Sequence, residues 1–403
     1  VKTTPIALLV VAVMAALLSF GSDSAGATSS GGPTNSPVHV IVSVVDAHSP
    51  GDATALAARF DAMFGSDVVT TMALDDLDLI TADVTLAGRV GLAALPEVKS
   101  ISDSRGFTAA LDVSVPHIGA AALHAGGLTG AGKAVVVIDS GVSTATPALA
   151  ASPSHAGSVV YEECFLNGAD APFVSGDVGP STPIELCPDG ATQSVGPGSA
   201  QPCVTLASLC GHGTGVAGVI AAHESGSPYI GVAPDASIIS LRVTGVIKRF
   251  GTGNTETYIS PDGVLAALNR VVALSSSYDI AAVNLSLGGS GAPCSDFAWE
   301  SVVSQLSALG IAVVAASGNG GLSTLISFPA CLPGVVSVGA SDSSGKITSF
   351  SDTSSLLDIV APGGAVVTAT PTSFSASGYA IEAGTSFSAP HISGVFALLD
   401  STF

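Results

Sequence analysis

The chain has 403 residues, 47% of them apolar and only 10% charged, with 47 Gly and 23 Pro. That balance excludes long disordered or coiled-coil stretches and leaves enough apolar surface for one packed α/β domain plus a small accessory unit. The formal net charge of -20 arises from 31 Asp and Glu set against only 11 Lys and Arg, which argues against nucleic acid as a partner.

At the start of the chain, Lys2 precedes an apolar run from Pro5 to Phe20, and small residues follow through Ala27. This is the layout of an export signal over residues 1–27. The run is short for a membrane span of about 20 residues, and no later segment is longer and more apolar, so a secreted chain without a membrane anchor is expected. A Ser/Gly/Thr/Pro linker occupies 28–37. Then Val38–Val45 reads as a strand, Asp52–Phe64 as an Ala-rich helix, Leu77–Thr85 as a strand, Gly88–Leu95 as a short helix and Val98–Ile101 as a strand. These make a small α+β unit over 38–107.

From residue 108 to 403, short continuous apolar runs alternate with helical stretches, the pattern of a doubly wound, mainly parallel α/β sheet covered on both faces. Strands are expected at Ala134–Ile138, Ser237–Val243, Ala281–Leu287, Ile311–Ala316, Val335–Ala340 and Asp358–Val360. Helices are expected at 212–222, 261–274, 296–309 and 385–400, the third capped by Ser295. Gly127–Lys133 has the glycines of a phosphate loop, but it precedes a strand instead of following one and reads as a turn. The six cysteines fit an oxidising compartment and three bridges. Cys164, Cys187, Cys203 and Cys210 share one loop-like stretch near 155–210 without the paired spacing of a zinc site. Cys294 and Cys331 stand apart, and the sequence leaves the pairing open.

Open α/β sheets gather functional groups at the carboxyl ends of their strands. Asp139 ends Val135-Val-Val-Ile-Asp-Ser-Gly141, where a buried carboxylate needs a partner. His212 lies in Gly211-His-Gly-Thr-Gly-Val-Ala-Gly218, with an uncrowded ring that can accept a serine proton. Ser386 lies in Gly384-Thr-Ser-Phe-Ser-Ala-Pro390, at a helix start whose unpaired N–H groups favour developing negative charge. Pro390 is tolerated there if it falls near the beginning of that helix. His391, five residues further along the helix, is rotated by about 500° and points away from Ser386. Asn284 with Ser286, and Asn319 after Val313-Val-Ala-Ala-Ser-Gly318, follow apolar runs in the same way.

These segments resemble the subtilisin-like serine peptidases, in the chain order Asp, His, Ser. The resemblance extends through Gly231–Ala236, Ser286–Gly289, Ser327–Ala330 and Ala361–Gly363, and covers residues 112–400. It implies a triad of Asp139, His212 and Ser386, and an oxyanion hole made by the Asn319 amide and the Ser386 backbone N–H. It implies that Ser286, Leu287 and Gly288, with Ala315, Ala316, Ser317 and Gly318, hold the substrate backbone and line the primary side-chain pocket. These residues are small and uncharged, so apolar or aromatic residues are expected before the scissile bond. It further implies a monomeric secreted endopeptidase that acts on peptides and proteins and needs no cofactor. Calcium is a common structural ion in the family, yet no compact loop of alternating carboxylates stands out here. The unit at 38–107 resembles the family's inhibitory propeptide, a folding aid cut away between Gly106 and Asp112.

The chain departs from the family pattern in three ways. Gly215 stands where the family usually has a second histidine. Asp139 and His212 lie 73 residues apart, more than is common, and the excess is the cysteine-bearing segment, which either borders the cleft or forms a surface loop. Family members generally carry another helix beyond the serine helix, whereas this chain stops at Phe403. The alternative is a truncated or inactive relative acting as a binding protein.

Overall fold

The computed structural model describes residues 38–44, 52–74, 79–103, 111–151, 157–166, 182–204, 210–223, 229–249, 253–289 and 294–401. The apolar run at 5–20, the linker at 28–37 and the expected cleavage segment around Gly106 lie outside the described residues. The described residues form two compact units, one within Ser22–Thr108 and the other within Ala109–Phe403. Among them, no helix is long and apolar enough to cross a membrane.

The small unit runs β1 (Val38–Val44), α1 (Asp52–Phe64), β2 (Val68–Leu74), β3 (Leu79–Val84), α2 (Leu86–Ala93) and β4 (Val98–Asp103). Its antiparallel sheet has the order β2-β3-β1-β4. Alternate residues Val40, Val42 and Val44 of β1 and Ile80, Ala82 and Val84 of β3 face one side, where Phe60 of α1 and Leu92 of α2 close the core. Strand β2 has no counterpart in the expected elements, because its apolar residues do not alternate cleanly: Val68 is buried and Val69 is 50% exposed. Thr85, expected as the end of a strand, caps α2 instead by accepting the Gly88 N–H at 3.1 Å.

In the larger unit the elements are α3 (Leu111–His117), α4 (Ala120–Ala125), β5 (Ala134–Asp139), β6 (Val159–Phe165), β7 (Thr182–Glu185), β8 (Gln193–Val195), α5 (His212–Ala221), β9 (Ser237–Arg242), β10 (Thr244–Lys248) and β11 (Thr255–Ile259). They continue as α6 (Pro261–Leu274), β12 (Ile280–Leu285), α7 (Phe297–Ala308), β13 (Ala312–Ala316), β14 (Val335–Ser341), β15 (Ile359–Pro362), β16 (Val366–Ala369), β17 (Tyr379–Glu382) and α8 (Thr385–Asp400). Eight strands form the central sheet in the order β15-β14-β13-β12-β5-β9-β6-β8. All neighbours are parallel except β6 and β8. This is the α/β architecture that the apolar runs imply.

Every residue of β5 and β12 is buried, so these strands read as unbroken apolar runs. Val135 and Val137 face a core shared with α5 and α8, while Val136 and Ile138 face a second core built with α6 and α7. Helix α7 is capped by Asp296 and not by Ser295: Asp296 Oδ1 accepts the Ala298 N–H at 3.0 Å and the Trp299 N–H at 3.3 Å. Lys133, at the end of the glycine-rich turn, is tied to Asp279 at 2.7 Å and to Asp400 at 2.8 Å.

The cysteines pair as Cys164–Cys187, Cys203–Cys210 and Cys294–Cys331. The first two staple the segment between β6 and α5. Arg242, fully buried at the carboxyl end of β9, anchors the same segment from beneath. It donates to Gln201 O at 2.9 Å, Leu186 O at 3.0 Å and Glu185 Oε1 at 3.2 Å. Strand β7, beside these anchors, joins β10 and β11 in a separate antiparallel sheet of order β11-β10-β7. Removing one member of a buried ion pair strands the other charge and its hydrogen-bond partners. Arg242→Ala is therefore expected to lower unfolding stability by about 3–5 kcal/mol in urea titration. A loss below about 1 kcal/mol would show that the segment is held by its disulfides alone.

Candidate active site

Strand β5 delivers Asp139 to the carboxyl edge of the sheet with only 4% of the residue exposed. The Ser140 N–H donates to Asp139 Oδ1 at 2.6 Å. His212 opens α5, and its Nδ1 lies 2.9 Å and 3.0 Å from the two carboxylate oxygens. Nδ1 therefore carries the proton that Asp139 accepts, and Nε2 is left with its lone pair. The ring leans on Phe387, with centroids 5.2 Å apart. The residue at 215 is small because α5 lies hard against β16: a Cβ there would stand 3.0 Å from Phe387 and 3.1 Å from the Thr368 methyl. The Gly215 carbonyl also accepts the Thr368 hydroxyl at 2.6 Å.

Burial by itself pushes the His212 imidazole towards its neutral form. The charge of Asp139, its hydrogen bond and the charge of Glu382 more than offset this, so the group titrates above its ordinary value of 6.5. Glu382, half-buried in β17, is itself held above the usual carboxylate range by burial, with His212 pulling it back.

Ser386 sits in the first turn of α8. Its hydroxyl donates to the Ser286 carbonyl at 3.2 Å, and the Ser286 hydroxyl donates to the Ser386 carbonyl at 2.6 Å. Pro390 explains the second bond. It lies inside α8 and not at its start, and having no N–H it leaves the carbonyl four residues earlier, that of Ser386, without its helical donor. Ser286 takes that place. Asn284 Nδ2 in turn donates to Ser286 Oγ at 2.8 Å, and Asn284 Oδ1 accepts the Ser393 hydroxyl at 3.0 Å. Asn284 thus braces the strand end against α8. His391 points away from Ser386: its ring nitrogens lie 2.8 Å from Phe387 O and 3.0 Å from Ser114 Oγ. Burial pushes this imidazole down to about 4.

Asn319 Oδ1 accepts from the Thr385 N–H at 2.9 Å and from the Thr385 hydroxyl at 3.0 Å. With the oxygen so engaged, the Nδ2 donors are the end left for the cavity of about 530 Å³ that Asn319 borders. Asp139, His212, Asn319 and Ser386 all face this cavity, as do Ser286, Leu287, Gly288, Ala316 and Gly318. Ala315 and Ser317 do not. Strand alternation turns Ala315 into the core on the α6–α7 side, and the buried Ser317 hydroxyl donates to Asp352 O at 2.9 Å.

Thr244, Ile259, Leu322 and Asp352 also border the cavity, and the sequence did not single them out. Thr244 and Ile259 belong to the sheet that β7 completes, so the cysteine-bearing segment buttresses one cavity wall. Alternation in Thr255–Ile259 could have flagged that strand, but nothing local marks Asp352, which enters from a stretch without periodicity. Among the described residues, no three His, Cys, Asp or Glu side chains converge as metal ligands would.

A family model described as the subtilase family matches residues 130–403. Subtilisin BL of Lederbergia lenta is 32% identical over 216 residues, 54% of this chain and 58% of that protein. M-protease of Shouchella clausii is 32% identical over 285 residues, 71% of this chain and 58% of that protein. Subtilisin E of Bacillus subtilis is 30% identical over 234 residues, 57% of this chain and 46% of that protein. The chain thus spans about half the length of these relatives.

The raised affinity of His212 for its proton is open to direct measurement. The charged pair adds stability that is fully present below the unfolded imidazole range and is lost as pH rises through the elevated folded value. By NMR titration His212 should hold its proton above pH 6.5. Asp139→Asn should move the midpoint down, and Glu382→Gln should move it down by less. A midpoint unmoved by Asp139→Asn would show that the pair does not form in solution.

Proposed function

The chain belongs to the subtilase family, and from that membership we propose that it is a serine endopeptidase, secreted and made as a self-processing zymogen, with Asp139, His212 and Ser386 as its triad. The observation that carries the reading is the buried Asp139–His212 hydrogen bond at 2.9 Å, in one cavity with Ser386 and Asn319.

The Ser386 hydroxyl turns from the Ser286 carbonyl to His212 Nε2, which takes its proton as the oxygen attacks the scissile carbonyl. Asp139 holds the tautomer and stabilises the imidazolium. The oxyanion is met by Asn319 Nδ2 and the Ser386 backbone N–H, both fixed before the reaction. His212 then gives its proton to the leaving amine, an acyl-enzyme forms, and water activated by the same imidazole releases the acid. The chemistry needs no cofactor, and calcium in this family is typically structural.

The substrate backbone pairs with Ser286–Gly288. The small uncharged walls there and at Ala316 and Gly318 suit apolar or aromatic residues before the scissile bond. The unit at 38–107 serves as the inhibitory propeptide and folding aid, released by cleavage between Gly106 and Asp112, and the leader at 1–27 directs export of a monomer.

Ser386→Ala should lower peptide hydrolysis by about a million-fold, the order seen when subtilisin loses its serine, and should leave the precursor uncut by mass spectrometry. Asn319→Ala should lower turnover by about a hundred- to thousand-fold, as loss of that donor does in subtilisin. Absence of fluorophosphonate labelling on the folded wild type would sink the mechanism and leave an inactive, binding relative. A peptide panel cut only after Lys or Arg would overturn the apolar preference.

A further inference from the structure

We propose that Asp352 is a specificity-determining carboxylate at the base of the primary pocket, so that the enzyme accepts Lys and Arg before the scissile bond as well as apolar residues. The proposal rests on the peptidase reading above and deepens its substrate class.

Asp352 is only 2% exposed, yet it borders the same cavity as Ser386, beside Gly318, Leu322 and Ser327. Its backbone is locked to the substrate-binding segment: the Asp352 N–H donates to Gly318 O at 2.9 Å, and Asp352 O accepts the Ser317 hydroxyl at 2.9 Å. The carboxylate is therefore fixed relative to the pocket wall. One oxygen, Oδ1, accepts the Leu322 N–H at 2.8 Å. Among the described residues no hydrogen bond reaches Oδ2 and no Lys or Arg pairs with the group. Gly318, at φ 110°, leaves Oδ2 uncovered, since a Cβ there would fall 2.2 Å from Oδ2 and 2.3 Å from Ser327 Oγ. Two acceptor oxygens thus converge behind one glycine.

An almost fully buried carboxylate with a single donor is a costly group unless a cation joins it. The side chain of a bound Lys or Arg supplies that cation, its methylenes lying along Leu287, Ala316 and Leu322 and its head reaching Asp352, the division by which long basic side chains bury a stem and place a charge. Apolar residues use the same walls without reaching the base. With only 11 Lys and Arg in 403 residues, the chain also offers few such sites to its own activity.

The test uses the processed full chain and peptides that differ only before the scissile bond: Lys, Arg, Leu, and norleucine as the uncharged counterpart of Lys. Wild type should cut after Lys at least as well as after norleucine. Asp352→Asn keeps an acceptor for the Leu322 N–H and removes the charge, and should lower kcat/KM for Lys relative to norleucine by about 100-fold. An unchanged ratio means that Asp352 only braces the loop and overturns the proposal. Should the variant fail to fold, the wild-type cleavage map of a denatured protein mixture decides: cuts after Lys and Arg support the proposal, and cuts after apolar residues alone overturn it while the peptidase reading stands. No cleavage of any peptide and no fluorophosphonate labelling would overturn the peptidase reading itself, and this proposal with it.

Discussion

Helix α8 is buried along almost its whole length, and that burial dictates the rest of the larger unit. It packs against β12, β13 and β14 on one side and α5 on another. Its first turn is fastened to the segment just after β12, where the Ser286 hydroxyl donates to the Ser386 carbonyl at 2.6 Å, so Ser386 emerges at the cavity that Asp139, Ser286 and Asn319 also border. Burial also presses the polar groups on the helix to find partners, and among the described residues the Ser388 hydroxyl is an exception. Ser393 finds Asn284, His391 finds Ser114, Thr385 finds Asn319, and the Ser386 carbonyl finds Ser286. The groups that border the cavity are thus held by hydrogen bonds that the core would require in any case.

Charge follows the same economy. The chain has only 11 cationic side chains, and several of them sit at structural joints. Arg242 holds the cysteine-bearing segment through Glu185, Arg270 reaches the buried Glu163 at 2.9 Å, and Lys133 joins Asp279 to the end of α8. The cavity itself receives none of these cations among the described residues. Asp139 and Asp352 border it and give it a negative cast, answered by His212, on which Glu382 also acts from β17. The elevated proton affinity of His212 is the local expression of that imbalance.

The central fold was legible because fully buried strands read as unbroken apolar runs: β5, β12, β13 and β14 and the limits of α6 and α8 agree closely with the expected elements. What escaped was structure whose stability is not local. β2 has mismatched alternation, while β7 and β8 are three or four residues long and persist through disulfides and Arg242, not through any periodic face of their own. The Asp139–His212 pairing was legible because each residue follows an apolar run or opens a glycine-rich helix at a sheet edge. Asp352, Glu382 and Ile259 reach the site through tertiary packing, and no spacing in the sequence announces that. Ser295 and Pro390 were misplaced for a simpler reason: a neighbouring Asp is as good a cap, and a proline inside a helix is tolerated when another group takes over the carbonyl that it leaves bare.

That last exception bears on how the site works. Pro390 inside a helix and a deeply buried carboxylate each break a local rule, Gly318 takes a backbone conformation that side-chain-bearing residues rarely adopt, and all three lie on segments that border one cavity. Such breaches persist only where the surroundings over-determine them. Here each is held by a hydrogen bond crossing from one element to another: Ser286 to Ser386 from the loop after β12 to α8, Asp352 to Gly318 between two loops, and Gly318 to Thr385 from the β13 loop to α8, where Thr385 also donates to Asn319. The strand end that would pair with a substrate, the loop that carries Asn319 and the helix turn that carries Ser386 are therefore fastened to one another at points where ordinary backbone pairing has been given up. A proline restoring no N–H and a glycine admitting no side chain are what leave those points available. The geometry that makes the cavity rigid enough for preorganised catalysis is the same geometry that the local sequence rules would have forbidden.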